Sequence, residues 1–570
     1  MSGEFEVLGT NAAALFSLKA HRGDGMVLLA MDWRVGQPPP DLVGFSIEYQ
    51  PPGAAGFFAL TNRLTFPTPP ANVGPKPNST LFAPIQKFRW VHFPHDAGLA
   101  GEFRYRVKPA FMDAARVITW GQAQEVGLEL GRETYPGLLN VAFTRGFVSS
   151  QAFVDQYQSA GPIATLLPAS AAKGLTFKPT HPKTAEALAW MGFEARAAIL
   201  AVLDEAITDP TAAVRFVSYD LNEPDIVGRL EQLGGRLRII IDDSTDHRGA
   251  NTAETQAAAR LRISAGIDHV KRQHMGGLQH NKMIVVEGDA GRTAVCGSTN
   301  FSWRGLYVQA NNALVLRGEH PARMFREAFD TYWNHGSADE FGTTDSTAWR
   351  DLGLGDLDAR VSFSPHAAVN ARLGSVAADI GRATSSVFYS LAFLYQTKGP
   401  VRDAIKKVMD DPKVFVYGMS DLKAGGGLDI QVPGGNVTPV EPEALTENVP
   451  EPFKSEPVGG SGIRMHHKFV VLDFNLASAR VYTGSYNFSD PADTANGENL
   501  VRIRDRRIAV SYMVEALSLF DHYHFRVKQL DAQKTGARLD LHEPPGANEQ
   551  PWWLEDYTVP VKIRDRKLFA

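Results

Sequence analysis

One phrase occurs twice in this chain. His280-Asn281-Lys282 leads into the apolar run Met283 to Val286 and then Glu287, with Gly297-Ser298-Thr299-Asn300 downstream. His466-His467-Lys468 leads into Phe469 to Leu472 and then Asp473, with Gly484-Ser485-Tyr486-Asn487 downstream. From His to Asn is 20 positions in the first copy and 21 in the second. Whatever the first copy folds into, the second must fold into as well. Two matched His/Lys/Asn sets predict one site built from two halves, with a phosphate held on the axis between them.

Each part of the phrase has a physical reading. The runs after the lysines are short and rich in β-branched residues, as in a strand buried on both faces. Side chains alternate along a strand, so His280 and Lys282 share one face, as do His466 and Lys468. Asn281 and His467 point the other way and are excluded from the chemistry. A second strand follows in each copy (Thr293 to Cys296, Arg480 to Thr483) and ends in Gly-Ser, where the chain must turn tightly. Two lysines and two asparagines converging on a point suit a phosphate anion. Two facing histidines suit a two-step displacement, one attacking phosphorus and the other protonating the leaving oxygen.

The order of elements is duplicated too. Helix Glu186 to Ala206, strand Ala212 to Tyr219, helix Asp225 to Leu233 and strand Arg236 to Ile241 precede the first phrase. Helix Ala367 to Arg382, strand Ser386 to Leu391, helix Val401 to Met409 and strand Lys413 to Tyr417 precede the second. A helix follows each phrase. Such alternation predicts an α/β fold of two sandwich halves (181–345 and 355–530) related by a pseudo-two-fold axis.

The paired phrases resemble the HKD motifs of the phospholipase D superfamily, over roughly residues 180 to 530. The resemblance implies a covalent phosphohistidine intermediate, no cofactor, no required metal, and water or an alcohol as final acceptor. It makes His280 and His466 the nucleophile and acid/base pair, and Lys282, Lys468, Asn300 and Asn487 the phosphate ligands. Ser298 and Ser485 match the supporting Gly-Ser position and, with Asn311, are expected to bind substrate; Asp473 and Glu287 match the acidic position, with Asp289 competing for the latter. Glu498 matches an acidic residue that orients a histidine; in the first copy that place is held by Asn311. The expectation is that His466, next to Glu498, rests protonated as general acid, whereas His280, lacking a carboxylate, rests neutral and attacks phosphorus. The departures in copy one keep open a catalytically impaired scaffold.

The rest of the chain narrows the partner. Its 570 residues, 44% hydrophobic and 21% charged, suit a globular protein of several domains. No span-length apolar stretch or leader is visible, so the expected location is the cytoplasm, with leaderless export open. Cys296 alone cannot form an intrachain disulfide. A net charge of −5 and only small basic clusters argue against a broad nucleic-acid face. The preferred substrate is therefore a phospholipid headgroup ester, with nucleic acid as the alternative. His274, six residues before His280, is within reach of the site but reads as a solvated loop histidine. His181, His366 and His524 have no ligand spacing to one another, and no catalytic metal is expected.

Residues 1–132 read as an antiparallel sandwich, with strands Met26 to Trp33, Val43 to Tyr49, Phe88 to Phe93, Phe103 to Phe111 and Val117 to Leu130. Trp33, Tyr49 and Tyr105-Arg-Val-Lys-Pro109 resemble a fibronectin type III domain, which implies docking to a partner or surface. A helical connection, Thr134 to Tyr157, is expected to lie within a linker 133–180. Ala424 to Gly462, rich in Gly, Pro and acidic residues, reads as a long loop and a candidate lid. The tail 531–570 is expected to pack on the catalytic core.

Overall fold

The computed structural model describes residues 4–94, 96–131, 133–145, 153, 156–392, 394, 399–421, 428–431, 437–440 and 465–570. Two compact units divide the chain: Met1–Arg132 with Val510–Ala570, and Glu133–Ala509.

Among the described residues, the first unit holds nine strands: β1 Glu6–Leu8, β2 Phe16–Arg22, β3 Val27–Trp33, β4 Leu42–Gln50, β5 Phe58–Ala59, β6 Arg89–His92, β7 Glu102–Met112, β8 Ile118–Trp120 and β9 Gln124–Glu129. They form two antiparallel sheets, β1-β2-β3-β6 and β5-β4-β7-β8, with β9 also on β7. Alternation along β7 sends Phe103, Tyr105 and Val107 inward, where they meet Phe16, Phe45 and Ile47. The expected last strand is two strands, broken at Gly121-Gln122-Ala123. The tail departs from expectation. Instead of the catalytic core, Trp553 joins the sandwich core, and Trp552 stacks on Phe88 with ring centroids 5.2 Å apart. The Trp552 indole N–H donates to the Leu42 carbonyl at 2.8 Å, so a large, partly buried apolar side chain has its polar atom satisfied.

The second unit holds two sheets built on one plan. The first half contains β10 Leu139–Phe143, β11 Ala213–Ser218, β12 Leu237–Asp242, β13 Val270–Gln273, β14 Met283–Glu287, β15 Arg292–Gly297 and β16 Asn312–Arg317, in the order β10-β16-β15-β14-β11-β12-β13. The second contains β17 Arg350–Asp351, β18 Asp358–Ser364, β19 Ser386–Leu391, β20 Phe415–Asp421, β21 Leu428–Gln431, β22 Val437–Val440, β23 Lys468–Leu472, β24 Arg480–Gly484 and β25 Glu498–Arg504, in the order β17-β18-β25-β24-β23-β19-β20-β21-β22. Six consecutive strands repeat, with the same senses in their five pairings: β14 and β23 each run antiparallel to the strands on both sides, and β11/β12 and β19/β20 are parallel. The strand of each repeated phrase is thus central in its sheet, and the apolar residues from Met283 to Val286 and from Phe469 to Leu472 are all buried. Each such side chain contributes about 1.5–3 kcal/mol on leaving water.

Helices cover the sheets where the apolar periodicity places them. Pro224–Leu233 starts on a Glu223 side chain that accepts from the Ile226 N–H, with Pro224 in the first turn. Ala253–Ala265 starts on Thr252, which accepts from the Thr255 N–H.

Two expectations are corrected here. The connection expected to be helical contains β10, whose five buried residues pair antiparallel with β16, so sheet pairing overrides local propensity. The expected loop from Ala424 contains β21 and β22, which extend the second sheet; residues 424–427, 432–436 and 441–462 lie outside the described residues. No helix among the described residues is long and apolar enough to cross a membrane.

Candidate active site

The two halves meet through a symmetric pair of backbone bridges. Gln279 runs beside Gly497, and Met465 runs beside Ala310. The Gly497 N–H donates to the Leu278 carbonyl at 2.8 Å, and the His466 N–H to the Ala310 carbonyl at 3.1 Å. Each bridge sits one residue before a functional pair, so His280 is set against Glu498 and His466 against Asn311. The His280 and His466 rings then face each other, with centroids 6.3 Å apart.

The orienting pairs are therefore crossed between halves. His280 Nδ1 donates to Glu498 Oε2 at 2.8 Å. His466 Nδ1 donates to Asn311 Oδ1 at 2.8 Å and lies 3.2 Å from the Ser298 carbonyl. This corrects the expected asymmetry: the carboxylate serves His280, and the amide serves His466. Alternation along one strand cannot show which strand of the other half lies opposite.

Both lysines reach the pocket from the face they share with the histidines. Lys282 Nζ donates to the His280 carbonyl at 2.6 Å and lies 4.9 Å from the Tyr219 ring centroid. Lys468 Nζ contacts His466 Nε2 at 3.0 Å and the His466 carbonyl at 2.8 Å. Burial, then Lys282 and Lys468, holds His280 well below the ordinary histidine range. Burial, then Lys468, Lys282 and Arg304, does the same to His466, so it does not rest protonated as expected. Burial lowers Lys282 to about 8 and raises Glu498 to about 8.

The glycines before each Ser are demanded by close packing. Gly297 and Gly484 have φ of 141° and 129°, and a Cβ on either would lie 2.4 or 2.2 Å from the backbone oxygen of Asn312 or Asn499. The next residues support the site without entering it. Ser298 Oγ donates to Asn311 Oδ1 at 2.9 Å, and Asn311 Nδ2 donates to the Gly305 carbonyl at 2.9 Å, so the Asn311 side chain is committed to protein partners. Ser485 Oγ accepts from the Asn499 N–H at 3.0 Å. The expected substrate contacts by Ser298, Ser485 and Asn311 are thus replaced by orienting contacts. Asn281 and His467 pair across the halves with Asn499 and Asn312 at 3.0 and 3.5 Å.

Asn300 and Asn487 follow the two turns and are placed differently. Asn300 Nδ2 donates to Asp220 at 2.7 Å. The Oδ1 atoms of both asparagines are buried without a hydrogen-bond partner among the described residues.

Asp473 and Glu287 are not brought to the pocket. Five residues beyond each lysine, on strands rising about 3.3 Å per residue, they sit at the far ends of β23 and β14. Asp473 Oδ1 accepts from the N–H groups of Thr384, Ser385 and Ser386 at 2.9, 2.8 and 3.2 Å. Glu287 pairs with Arg215 at 2.8 Å and Arg326 at 3.4 Å. Both pin strand ends. Asp289, the competitor, follows Glu287 at that same end, where its N–H donates to Thr211 Oγ1.

Sequence reasoning missed a group beside the pocket: Tyr219, Asp220, Asp242, His247 and Glu254. The Tyr219 ring lies 4.8 Å from His280 and 4.5 Å from His247. His247 bridges Asp242 (2.7 Å from Nδ1) and Asp220 (3.2 Å from Nε2). Against burial, these two hydrogen bonds push His247 up to about 10. Asp220, His247 and Glu254 also place ligand atoms within 4.8 Å of one another, making them the group among the described residues able to hold a cation. A usable signal existed, since Tyr219-Asp220 and Asp242 end parallel strands, where α/β sites form. A different set, Ser362–His366–Asp493, has triad connectivity (2.8 and 2.7 Å), but Ser362 is fully buried and donates to the Thr347 carbonyl. It is a structural tie.

The comparisons with known proteins agree with this geometry. The family described as "Cardiolipin synthase, PLD-like domain" matches residues 203–333 and 379–519, one segment in each half. The chain thus carries a PLD-like domain in two segments. A phospholipase D of Rickettsia prowazekii (strain Madrid E) is 42% identical over 48 residues, which cover 8% of this chain and 22% of that protein. The chain thus matches about a fifth of the length of that curated relative. Among solved structures, the phosphatidylserine synthase of Haemophilus influenzae Rd KW20 aligns at 11% identity and a TM-score of 0.38, covering 66% of this chain and 93% of that one. Nuc, a phospholipase D family member from Salmonella typhimurium, aligns at 26% identity and a TM-score of 0.21, covering 25% and 88%.

Proposed function

We propose that the chain is a phosphodiesterase that cleaves a P–O bond through a covalent phosphohistidine on His280. The observation that carries this reading is the pair of imidazoles 6.3 Å apart over two buried lysines. Lys282, Lys468, Asn300 and Asn487 hold the phosphoryl oxygens. Glu498 accepts the Nδ1–H of His280, which leaves the Nε2 lone pair for attack and stabilises the cation formed there. As the Nε2–P bond forms, the P–O bond to the leaving group breaks and that oxygen takes a proton from His466 Nε2. In the second step His466 takes a proton from water or an alcohol, whose oxygen bonds phosphorus as the P–N bond breaks.

His466 acquires its first proton with the substrate. Its proton affinity is depressed by burial and by the lysines, and a phosphodiester anion cancels the lysines' contribution. His280 thus remains the attacking residue of the sequence reading, for the opposite reason: it is the histidine with the carboxylate.

The substrate class we infer is a phospholipid headgroup ester, by hydrolysis or transfer to an alcohol. The net charge of −5 and the phospholipase D name of the Rickettsia relative support it. The N-terminal sandwich is proposed as the module that docks a partner or surface. The test is incubation with a phosphatidylcholine emulsion and with single-stranded and duplex DNA, each in excess EDTA. Headgroup release supports the reading, and nicked DNA replaces it with an endonuclease. Silence on all three, together with no adduct on His280, points to a scaffold.

A further inference from the structure

A carboxylate stands where an anion-binding pocket should least want one. Asp220 is partly exposed, and its Oδ2 accepts from Asn300 Nδ2 at 2.7 Å. Its other oxygen lies 3.2 Å from His247 Nε2. His247 in turn is fixed by Asp242, whose Oδ2 also accepts from the Ser244 N–H at 3.0 Å and whose Oδ1 accepts from the Gln279 N–H at 2.6 Å. The chain Asn300–Asp220–His247–Asp242–Gln279 therefore runs from one phosphate ligand to the residue before His280.

The chemistry of a primary amide gives this chain a use. Asn300 can present either N–H or C=O to a phosphoryl oxygen, and only N–H binds an anion. A carboxylate is acceptor-only, so Asp220 fixes Nδ2, not Oδ1, on its side of the amide. One N–H is held and the second remains to donate. We propose that Asp220, steadied by His247, is a positioning residue that keeps the Asn300 amide in its donor orientation toward the phosphoryl group. His247 covers the other oxygen, so the carboxylate's charge is spent on the network instead of on the incoming anion. The second half has no carboxylate at the matching sequence position. By register, Ser218 matches Leu391, so Asp220 matches position 393, which is Phe.

This inference rests on the phosphodiesterase reading, and the test separates the two. Wild type, Asp220→Ala, Asp220→Asn, Asn300→Ala and the Asp220→Ala/Asn300→Ala double variant are compared in two assays. One is kcat/KM on bis(4-nitrophenyl) phosphate, and the other is binding of inorganic phosphate by calorimetry. Asp220→Ala and Asn300→Ala should each lower kcat/KM and phosphate affinity about 10–100-fold. The double variant should be no worse than either single one. Asp220→Asn, whose Oδ1 can still accept the Asn300 N–H, should recover to within about threefold of wild type. Wild-type phosphate binding without turnover removes the phosphodiesterase reading and leaves the positioning role to be judged by affinity. The proposal is overturned by additive losses in the double variant, by Asp220→Ala changing only melting temperature, or by failure of wild type to bind phosphate. It is also overturned if EDTA abolishes wild-type activity and Zn²⁺ restores it, since Asp220 would then be a metal ligand.

Discussion

Glu498, from the second half, accepts the Nδ1–H of His280, from the first, at 2.8 Å across 218 positions of sequence. The mirror contact joins His466 to Asn311, so a carboxylate backs one imidazole and an amide the other. Glu498→Gln should keep the hydrogen bond and lose the charge. We expect kcat to fall by roughly 10²–10⁴-fold with phosphate affinity changed little, as when a carboxylate behind a catalytic imidazole becomes an amide. Steady-state kinetics beside a phosphate titration check this.

The order of events can be read with a good leaving group. A nitrophenolate needs no protonation to depart, so His466→Asn should still form the adduct on His280 and then stall. The expected result is a burst of about one equivalent of nitrophenol with phosphohistidine mapped to His280 by mass spectrometry. His280→Asn should show neither, and an adduct on His466 would falsify the assignment.

Lys282 sets an alkaline limit. Burial lowers it to about 8, so below that pH it is a cation in the pocket, and above it one positive charge is lost. The profile of kcat/KM, which reports the unliganded enzyme, should rise as Glu498 ionises and fall as Lys282 loses its proton, both near pH 8, giving a narrow bell. Lys282→Arg should move the alkaline limb upward, because a guanidinium does not titrate there. A limb unmoved in Lys282→Arg would assign it to another group.

Phosphate binding should take up a proton. The lysines that depress His466 are neutralised by a bound anion, so its proton affinity rises on binding. Calorimetry at pH 7 in buffers of differing ionisation enthalpy should give a buffer-dependent heat corresponding to uptake, and His466→Asn should abolish it.

Asp473 should matter for folding instead of chemistry. It accepts three backbone N–H groups and faces Arg480 at 3.5 Å. Asp473→Ala should cost about 2–4 kcal/mol of stability while the folded fraction keeps kcat within a few-fold. Thermal melts and active-site-normalised rates separate the two effects.

Much of this site was legible in the chain because its logic is local. The alternation His280-x-Lys282 before a β-branched run fixes a strand and a face, and its repetition at His466 implies a partner. What pairs with what across the halves was not legible. The Gln279–Gly497 and Met465–Ala310 bridges are tertiary contacts, and the periodicity of neither strand encodes them. The same holds for β10, whose strand character comes from lying beside β16, and for Trp552 and Trp553, whose indoles could have packed on any open apolar face. Asp220 and His247 escaped notice because 26 intervening residues conceal a contact of 3.2 Å.

The crossed backing of the two imidazoles has a consequence for inheritance. A change at 311 is felt at 466, and a change at 498 is felt at 280, so the repeats cannot drift apart independently after their duplication. A fragment carrying only one repeat would hold an imidazole whose Nδ1 has lost its clasp. Reconstitution from severed pieces should therefore require both to be supplied together.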